Sequence, residues 1–471
     1  MRHAVAVLTV AAVLRACRAG GTSASARRTD PGASLKNLAA DINRAAGHSA
    51  GESGSPAVDV DGLVALDAQG RVDTEVLESR LYDKIAIRAI HHHDDEAATC
   101  DKGYPRQSMI AKYNDISGDV PLFGDLLTAE GRVYAVINCR VVRDEGWHRA
   151  TWTFQHGSKT AVASTFGQDP HKHTLILYVD HKALNIDATT VQHVSIRGVI
   201  GEKTSVFDHV PLCPPVDDRH FLTACTSTLT KDKELAALPE WVAYNAVQGF
   251  DHSYIYVNDD VDRARLVLQP LEDAGLLTLI NWQPSQRQRS RKIGTRHFLE
   301  QQAQQNSCLL RARGRSTWVA LHDTDEFFAP VDYGATVESM LRAMSVTKLD
   351  DSIGAVQAQT WFYGVHANAS IQATTHKQPA LSNLALAKYA SRDVAAINVS
   401  YTKLIARPEH VSYVSVHMVT LGMLTLPLDA ESEMRLVHYK NADASGYNVV
   451  DTRMHAFVEP VIKVLKHVYG G

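Results

Sequence analysis

The part of the chain that follows Arg219 alternates short apolar runs with longer amphipathic stretches. In chain order these segments are FLTACTS, PEWVAYNAVQG, SYIYV, DRARLVL, LLTLI, RHFLEQQAQQNSCLLRARG and TWVAL. The apolar runs are typical of buried strands and the longer stretches of helices, with Pro239 in the first turn of the first helix and with Gly249 and Gly314 as C-terminal stops. Strands that alternate with helices predict an α/β fold with a doubly wound, mostly parallel sheet.

Three carboxylates follow directly on the last of these strands, in the stretch WVALHDTDEFFAP. Asp323, Asp325 and Glu326 stand between the apolar end of the strand and Phe327. Ligands of doubly wound sheets bind at the carboxyl ends of the strands. Two carboxylates one residue apart on an extended segment point to the same side and can share a hard divalent cation. The pattern indicates either a metal site or a solvated turn.

The same Asp-x-Asp spacing occurs twice more. Asp59 and Asp61 lie just past an Ala, Gly and Ser-rich stretch, where a solvated loop is the natural interpretation. Asp260 and Asp262 follow the strand YIYVN, so Asp260 is a candidate to line the same cleft as Asp323. The sequence contains no Gly-rich dinucleotide loop, no phosphate-binding loop of the G-x-x-x-x-G-K-[ST] type and no H-E-x-x-H motif.

The N-terminal part of the chain predicts three further regions. Residues 1–19 begin with Arg2 and an eleven-residue apolar run and predict a signal peptide or a short anchor. Residues 20–74 are rich in small and polar residues and predict a flexible linker. Residues 75–216 alternate short apolar runs with turn residues and predict a β-rich accessory domain. Residues 217–471 would then form the α/β domain.

Several features suggest the secretory pathway, either the Golgi or secretion. Asn368 and Asn398 lie in glycosylation sequons, and five cysteines remain after the predicted signal, from which we expect one or two disulfides. Membrane association is expected only through an uncleaved N-terminal anchor. The 48 basic and 52 acidic residues give a net charge of −4, which provides no electrostatic argument for a nucleic-acid partner.

From Cys225 onward, the order of motifs resembles glycosyltransferase family 92. The motifs are an E-W-x-x-Y helix, an H-x-Y-I-Y strand, the block W-V-A-x-x-D-x-D-E-F, and then TWFYG, KLIARPEHVSYVSVH and RLVHY. The resemblance covers about half of the chain. It implies a GT-A fold and a metal-dependent, inverting enzyme of a family whose members include β-1,4-galactosyltransferases.

The resemblance also implies roles for particular residues. Asp323 and Asp325 would hold a divalent cation, usually Mn²⁺, that grips the diphosphate of a UDP-sugar; for Asp323 a contact with the ribose or sugar is the alternative. A later histidine would complete the metal site, with His417 preferred over His438. Glu326 would support the metal site without being one of its direct ligands, with direct ligation or the start of the next turn as the alternatives.

The diphosphate contact and the general base are assigned less directly. Lys403 is a candidate for contact with the diphosphate, or else a surface lysine. Asp393 is the candidate for the base that deprotonates the acceptor.

The function that the resemblance implies is transfer of a hexose, galactose from UDP-galactose, to a glycan acceptor. A non-catalytic glycan-binding protein on the same fold and a metal-dependent nucleotidyl- or phosphoryl-transferring enzyme are the alternatives. The chain departs from the family pattern at Asn245, at His322 and in the stretch VHAN after Gly364. These departures affect the expected sugar and acceptor specificity rather than the expected metal site.

Overall fold

The computed structural model describes residues 100–470 apart from a set of internal gaps. The gaps are 102–103, 106–108, 111, 114–122, 139–146, 169–173, 216–217, 228–231, 259–260, 283–296, 333, 368–383, 397–400 and 440–445. The predicted signal and linker, Asp260 and both sequons lie outside the described residues. Within them, no helix is both long enough and apolar enough to cross a membrane.

The described part contains seven α-helices, two 3₁₀ segments and twenty-five strands. The helices are α1 (His181–Leu184), α2 (Asp232–Val247), α3 (Val261–Asp273), α4 (His297–Ala312), α5 (Val337–Thr347), α6 (Ala385–Lys388) and α7 (Val458–Tyr469). The 3₁₀ segments are Trp147–Arg149 and Arg453–Phe457.

The strands are numbered in chain order. Those of the N-terminal part are β1 (Cys100–Asp101), β2 (Tyr104–Pro105), β3 (Met109–Ile110), β4 (Lys112–Tyr113), β5 (Phe123–Ala129), β6 (Arg132–Asn138), β7 (Thr151–His156), β8 (Lys159–Val162), β9 (Ser164–Gln168), β10 (Thr174–Asp180), β11 (Gln192–Ile200) and β12 (Lys203–Leu212). Those of the C-terminal part are β13 (His220–Ser227), β14 (His252–Val257), β15 (Leu277–Asn281), β16 (Ser316–Leu321), β17 (Glu326–Pro330), β18 (Ile353–Gly364), β19 (Ser391–Arg392), β20 (Lys403–Ala406), β21 (Val411–Val414), β22 (Val419–Gly422), β23 (Leu424–Pro427), β24 (Met434–His438) and β25 (Val449–Val450).

Strands β3 to β12 form two five-stranded antiparallel sheets. Their orders are β3-β5-β6-β10-β9 and β4-β12-β11-β7-β8. Apolar side chains from both sheets, among them Leu177, Trp152 and Phe207, share one buried core. The alternation of inward apolar and outward polar residues, as in β7, explains why these segments pair as sheets rather than form helices.

The centre of the C-terminal part is a parallel sheet with the order β15-β14-β13-β16. Helices α2, α3, α5 and α7 share a core with one face of this sheet. Helix α4 packs on the other face, against residues such as Cys225 and Tyr256. The mixed α/β fold predicted from the alternation of segments is therefore confirmed.

The order of these strands makes one edge of the sheet a candidate ligand site. The chain moves from β13 outward to β14 and β15, and then returns to place β16 on the other side of β13. The carboxyl ends of β13 and β16 are therefore neighbours at the point where the strand order reverses, which is where open α/β sheets bind ligands. Strand β16 continues directly into the three carboxylates.

Helix α2 differs from its prediction at one end. It begins at Asp232, so Pro239 lies in the interior of the helix and the prediction that Pro239 occupies the first turn was wrong. A proline there removes one backbone hydrogen bond, and the burial of Leu238 and Trp241 on either side offsets that loss. The C-terminal stops were predicted correctly, because Gly249 and Gly314 have φ values of 86° and 69°.

A disulfide joins Cys225 in β13 to Cys308 in α4, and Cys213 is also disulfide-bonded. The first bond ties α4 to the strand next to β16. It therefore fixes the helix over the edge of the sheet that carries the carboxylates.

Candidate active site

The three carboxylates lie on a tight turn between β16 and β17. The backbone N–H of Glu326 donates to the carbonyl of Asp323 at 3.1 Å, and the N–H of Asp323 donates to Glu326 Oε2 at 2.8 Å. Strand β17 then runs antiparallel to β24, with Glu326 opposite His438. This pairing is what brings a histidine from late in the sequence to the acidic turn.

Lys403 forms the buried centre of the turn. Its Nζ lies 3.0 Å from Asp323 Oδ2 and 3.2 Å from Glu326 Oε2, and its side chain is 1% exposed. Burial alone would lower the pKa of Lys403, but the negative charges of Asp323 and Glu326 raise it by more. The pKa of Lys403 is therefore above the usual value for a lysine. Burial raises the pKa of the Glu326 carboxyl, and the charge of Lys403 opposes that change. Lys403 is therefore a buried ion-pair partner and not a surface lysine.

Asp323 has a hydrogen-bond donor at each carboxylate oxygen. Besides Lys403 at Oδ2, Gln301 Nε2 in α4 donates to Oδ1 at 2.5 Å. These two contacts fix the orientation of the carboxylate. No sequence motif pointed to Gln301, although the polar run QQAQQN was a signal that part of α4 meets polar groups.

His438 is the histidine that contacts Asp325. Its Nε2 lies 3.5 Å from Asp325 Oδ1, and its Nδ1 lies 3.4 Å from Glu326 Oε1. Burial lowers the pKa of His438, but the charges of Glu326 and Asp325 more than offset this effect, and the net change is upward. The side chain of Asp325 is 47% exposed, so a ligand can reach the pair from solvent.

His417, the histidine preferred from the sequence, lies on the other side of contacts made by Tyr401 and Thr402. Its Nδ1 is 2.9 Å from the carbonyl oxygen of Thr402. The ring of Tyr401 is 6.3 Å from the His417 ring and 6.3 Å from the His438 ring, measured between centroids. Both histidine rings thus neighbour Tyr401, and it is His438 that the structure brings against the carboxylates.

Asp393 lies two strands away from His438, on the same face of the sheet. Its backbone N–H donates to the carbonyl of Phe362 at 3.0 Å, which extends the β18–β19 register and sets Asp393 opposite Phe362. Phe362 is the β18 partner of His438, and the two rings are 5.1 Å apart. Directly paired residues share a face, so Asp393 and His438 are separated by two strand spacings, or about 10 Å. Partial burial raises the pKa of Asp393.

The side chains of the E-W-x-x-Y motif in α2 contact segments that border the candidate site. Glu240 accepts hydrogen bonds from the backbone N–H groups of Ala385 and Leu386, both at 2.9 Å. The Trp241 ring lies 4.7 Å from the His322 ring, and Tyr244 donates to the carbonyl of Phe328 at 2.9 Å. The motif therefore contacts the residues on both sides of the carboxylates, the His322 ring before them and the Phe328 carbonyl after them, a role that the sequence did not reveal.

Asp325 and His438 fit a divalent cation as two protein ligands. Their oxygen and nitrogen atoms are 3.5 Å apart, close to the separation of about 3 Å between neighbouring ligands of an octahedral ion with bonds of about 2.1 Å. The described residues contain no group of three or more His, Cys, Asp or Glu side chains arranged to hold a metal. A hard cation held by two protein ligands would need further ligands, and phosphate oxygens and water are of the kind that it takes.

Comparison with known proteins gives one informative result. Residues 220–467, slightly more than half of the chain, match the family model described as glycosyltransferase family 92. This range contains all the residues of the candidate site. No curated protein matches the chain. A solved structure of an intact type IV self-sufficient cytochrome P450 monooxygenase shows 12% identity over 40% of this chain and 23% of that one, with a TM-score of 0.10, and this likeness carries no argument.

Proposed function

Because this chain belongs to glycosyltransferase family 92, we propose that it is a metal-dependent, inverting transferase that moves galactose from UDP-galactose to a glycan acceptor. The observation that carries the proposal is the solvent-accessible Asp325 carboxylate beside His438, at the carboxyl end of β16. A sugar nucleotide carries its negative charge on the diphosphate, and this is the part of the donor that such a site recognises.

Different residues of the acidic turn would contact the diphosphate and the sugar or ribose of the donor. Asp325 and His438 would hold a divalent cation such as Mn²⁺, which supplies charge neutralisation to the departing diphosphate. Asp323, whose orientation Lys403 and Gln301 fix, is suited to accept hydrogen bonds from the hydroxyl groups of the ribose or the sugar. Lys403 then acts by orienting Asp323 rather than by contact with phosphate.

Asp393 is suited to act as the general base. Inversion requires a single displacement in which the acceptor approaches from the side opposite the diphosphate. The acceptor oxygen bonds to the anomeric carbon, the bond from that carbon to the diphosphate breaks, and Asp393 takes the hydroxyl proton. The spacing of about 10 Å between Asp393 and His438 leaves room for one sugar ring between the base and the leaving group.

The disulfide between Cys225 and Cys308 supports a location in the secretory pathway, because disulfides persist mainly in oxidising compartments. We propose the Golgi lumen or secretion as its location. Glycosylation at Asn368 or Asn398, detected as a glycosidase-sensitive mass shift on the protein secreted from eukaryotic cells, would support this location.

The assay that tests the proposed activity is UDP release from a panel of UDP-sugars with a glycan acceptor, measured with Mn²⁺ and with chelator. We expect Mn²⁺-dependent release from UDP-galactose, lowered about 100-fold or more in Asp325→Asn. Asp332→Asn, which changes an exposed turn aspartate beyond the other end of β17, is the matched control and should be unaffected. Nucleotide binding without release would indicate a glycan-binding protein, pyrophosphate as product would indicate a nucleotidyltransferase, and metal-independent release would contradict the metal site.

A further inference from the structure

A buried carboxylate outside the candidate site holds the strand that leads into Asp393. The backbone N–H of Asp451 donates to the carbonyl of Ala390 at 2.8 Å, and its Oδ2 accepts from Arg392 Nε at 2.9 Å. Strand β19 has only two residues, each paired with β18 and β25. Because so short a ladder restrains its backbone weakly, the contacts of Asp451 supply much of the restraint on the segment that ends in Asp393.

Arg392 connects this carboxylate to Asp393. Its Nη1 donates to the carbonyl of Asp393 at 2.8 Å, while Nε is bonded to Asp451. Its guanidinium lies 3.9 Å from the centroid of the Trp361 ring. A planar guanidinium can satisfy a carboxylate and a carbonyl at once while stacked on an aromatic face, and a lysine ammonium in the same place cannot reproduce this arrangement.

The surroundings of Asp451 restrain it in turn. Tyr363 donates to its Oδ2 at 3.0 Å, Arg453 Nε donates to Oδ1 at 2.7 Å, and Arg435 Nη1 lies 3.3 Å from Oδ2. With Arg392, three guanidinium groups surround one buried carboxylate. Such a charge-assisted network keeps its geometry better than a single neutral hydrogen bond does.

We propose that Arg392, held by Asp451, is a positioning residue that fixes the backbone of Asp393 and thereby directs its carboxylate at the acceptor hydroxyl. The inference rests on the proposed function, because it assumes that Asp393 is the general base. Positioning of this kind matters because a displacement of about 1 Å in a reacting group can cost about 100-fold in rate.

Arg392→Lys tests the inference. We expect kcat for transfer to fall about 10- to 100-fold, while the affinity for UDP with Mn²⁺ stays within about twofold of wild type, since the donor contacts lie on other strands. Arg453→Lys is the matched control. Arg453 bonds to the same Asp451 carboxylate and is more exposed than Arg392, whereas the bond to the Asp393 carbonyl on which the proposal depends is made by Arg392. It should lower kcat less than threefold.

A double-mutant cycle separates positioning from a general loss of structure. If Arg392 acts through Asp393, Arg392→Lys should change the residual kcat of Asp393→Asn by less than about twofold. Equal losses in both backgrounds, or equal losses in Arg392→Lys and Arg453→Lys, would overturn the inference. Full transfer activity in Asp393→Asn would instead show that the base assignment in the proposed function is wrong. Should Arg392→Lys fail to fold, Arg392→Gln, whose side-chain amide cannot bond to Asp451 and to the Asp393 carbonyl in the way the guanidinium does, replaces it in the same cycle with the same expected result.

Discussion

The ammonium of Lys403 lies between the carboxylates of Asp323 and Glu326, with almost no access to solvent. Replacing it by methionine would keep most of the volume and leave the Glu326 carboxylate buried without its cation. We expect Lys403→Met to lower the free energy of unfolding by about 3–5 kcal/mol, as measured by urea denaturation. Lys348→Met is the matched control, because the Lys348–Glu433 pair is 39% and 25% exposed, and it should cost about 1 kcal/mol or less.

The same variant separates the two roles considered for this lysine. A Lys403→Met protein as stable as wild type, but with weakened UDP binding, would restore the diphosphate contact that the family resemblance implies. A large loss of stability would establish Lys403 as the structural centre of the turn.

At the residue scale, the sequence allows side chains to be placed where the signal is local and not where the position depends on distant pairing. Asp323 and Asp325 could be placed at the carboxyl end of a strand because they follow directly on a strongly apolar run. The contact of His438 with Asp325 depends on the register between β17 and β24, which no local pattern specifies. The burial of Lys403 likewise depends on β20 pairing between β16 and β18.

At the scale of elements, the two glycines that end α2 and α4 share a left-handed backbone and differ in their surroundings. Gly249 has φ 86°, and a Cβ built there would lie 2.5 Å from the Cβ of Glu338 in α5. Gly314 has φ 69°, and a Cβ there would meet nothing within 4 Å. Both positions therefore favour glycine because of their left-handed backbone. At Gly249, but not at Gly314, the close approach of a neighbouring helix, α5, also leaves no space for a Cβ.

Alanine substitution at both positions separates these two costs. Gly314→Ala should lower the free energy of unfolding by about 1–2 kcal/mol, the cost of a left-handed alanine. Gly249→Ala should cost about 1–3 kcal/mol more, because α5 must shift. Equal losses of stability in urea titrations of the two variants would show that α5 yields freely at this contact.

The two ends of α2 show what local sequence can and cannot determine about an element. A glycine with positive φ ends a helix for a local reason, so the C-terminus could be predicted. The N-terminus could not, because Pro239 is tolerated in the helix interior only through the burial of its neighbours against the rest of the fold. The α/β class could also be predicted from local signals, because each apolar segment carries its own periodicity.

At the scale of the whole molecule, α4 lies between the parallel sheet and the N-terminal sheet that contains β5, β6 and β10. Tyr134 and Ile176 of the N-terminal sheet share a buried core with Leu310 of α4 and Val319 of β16. Helix α4 also carries Gln301, which orients Asp323. The N-terminal sheet thus covers the helix that helps to shape the candidate site.

A buried ion pair crosses this contact and allows it to be tested. Arg311 Nη2 in α4 donates to Asp125 Oδ1 in β5 at 2.6 Å, and Ser307 donates to the other oxygen of the same carboxylate. Asp125→Ala would remove the buried carboxylate to which the Arg311 guanidinium is bonded, so we expect the free energy of unfolding to fall by about 3–5 kcal/mol. Asp180→Ala is the control, because its pair with Arg132 is exposed, and it should cost about 1 kcal/mol or less.

The form of the unfolding curve distinguishes two organisations of the chain. If residues 75–216 are an accessory domain with independent stability, Asp125→Ala should destabilise only a first transition and leave a second, from the α/β part, unchanged. Because the two parts share a core through α4, we expect one transition for the intact chain, detected alike by tryptophan fluorescence and circular dichroism and displaced as a unit in Asp125→Ala. That outcome would mean that the cooperatively folded catalytic unit begins before the family match at residue 220 and includes at least β5. The position of Gln301 beside Asp323 would then depend on the presence of the N-terminal sheet.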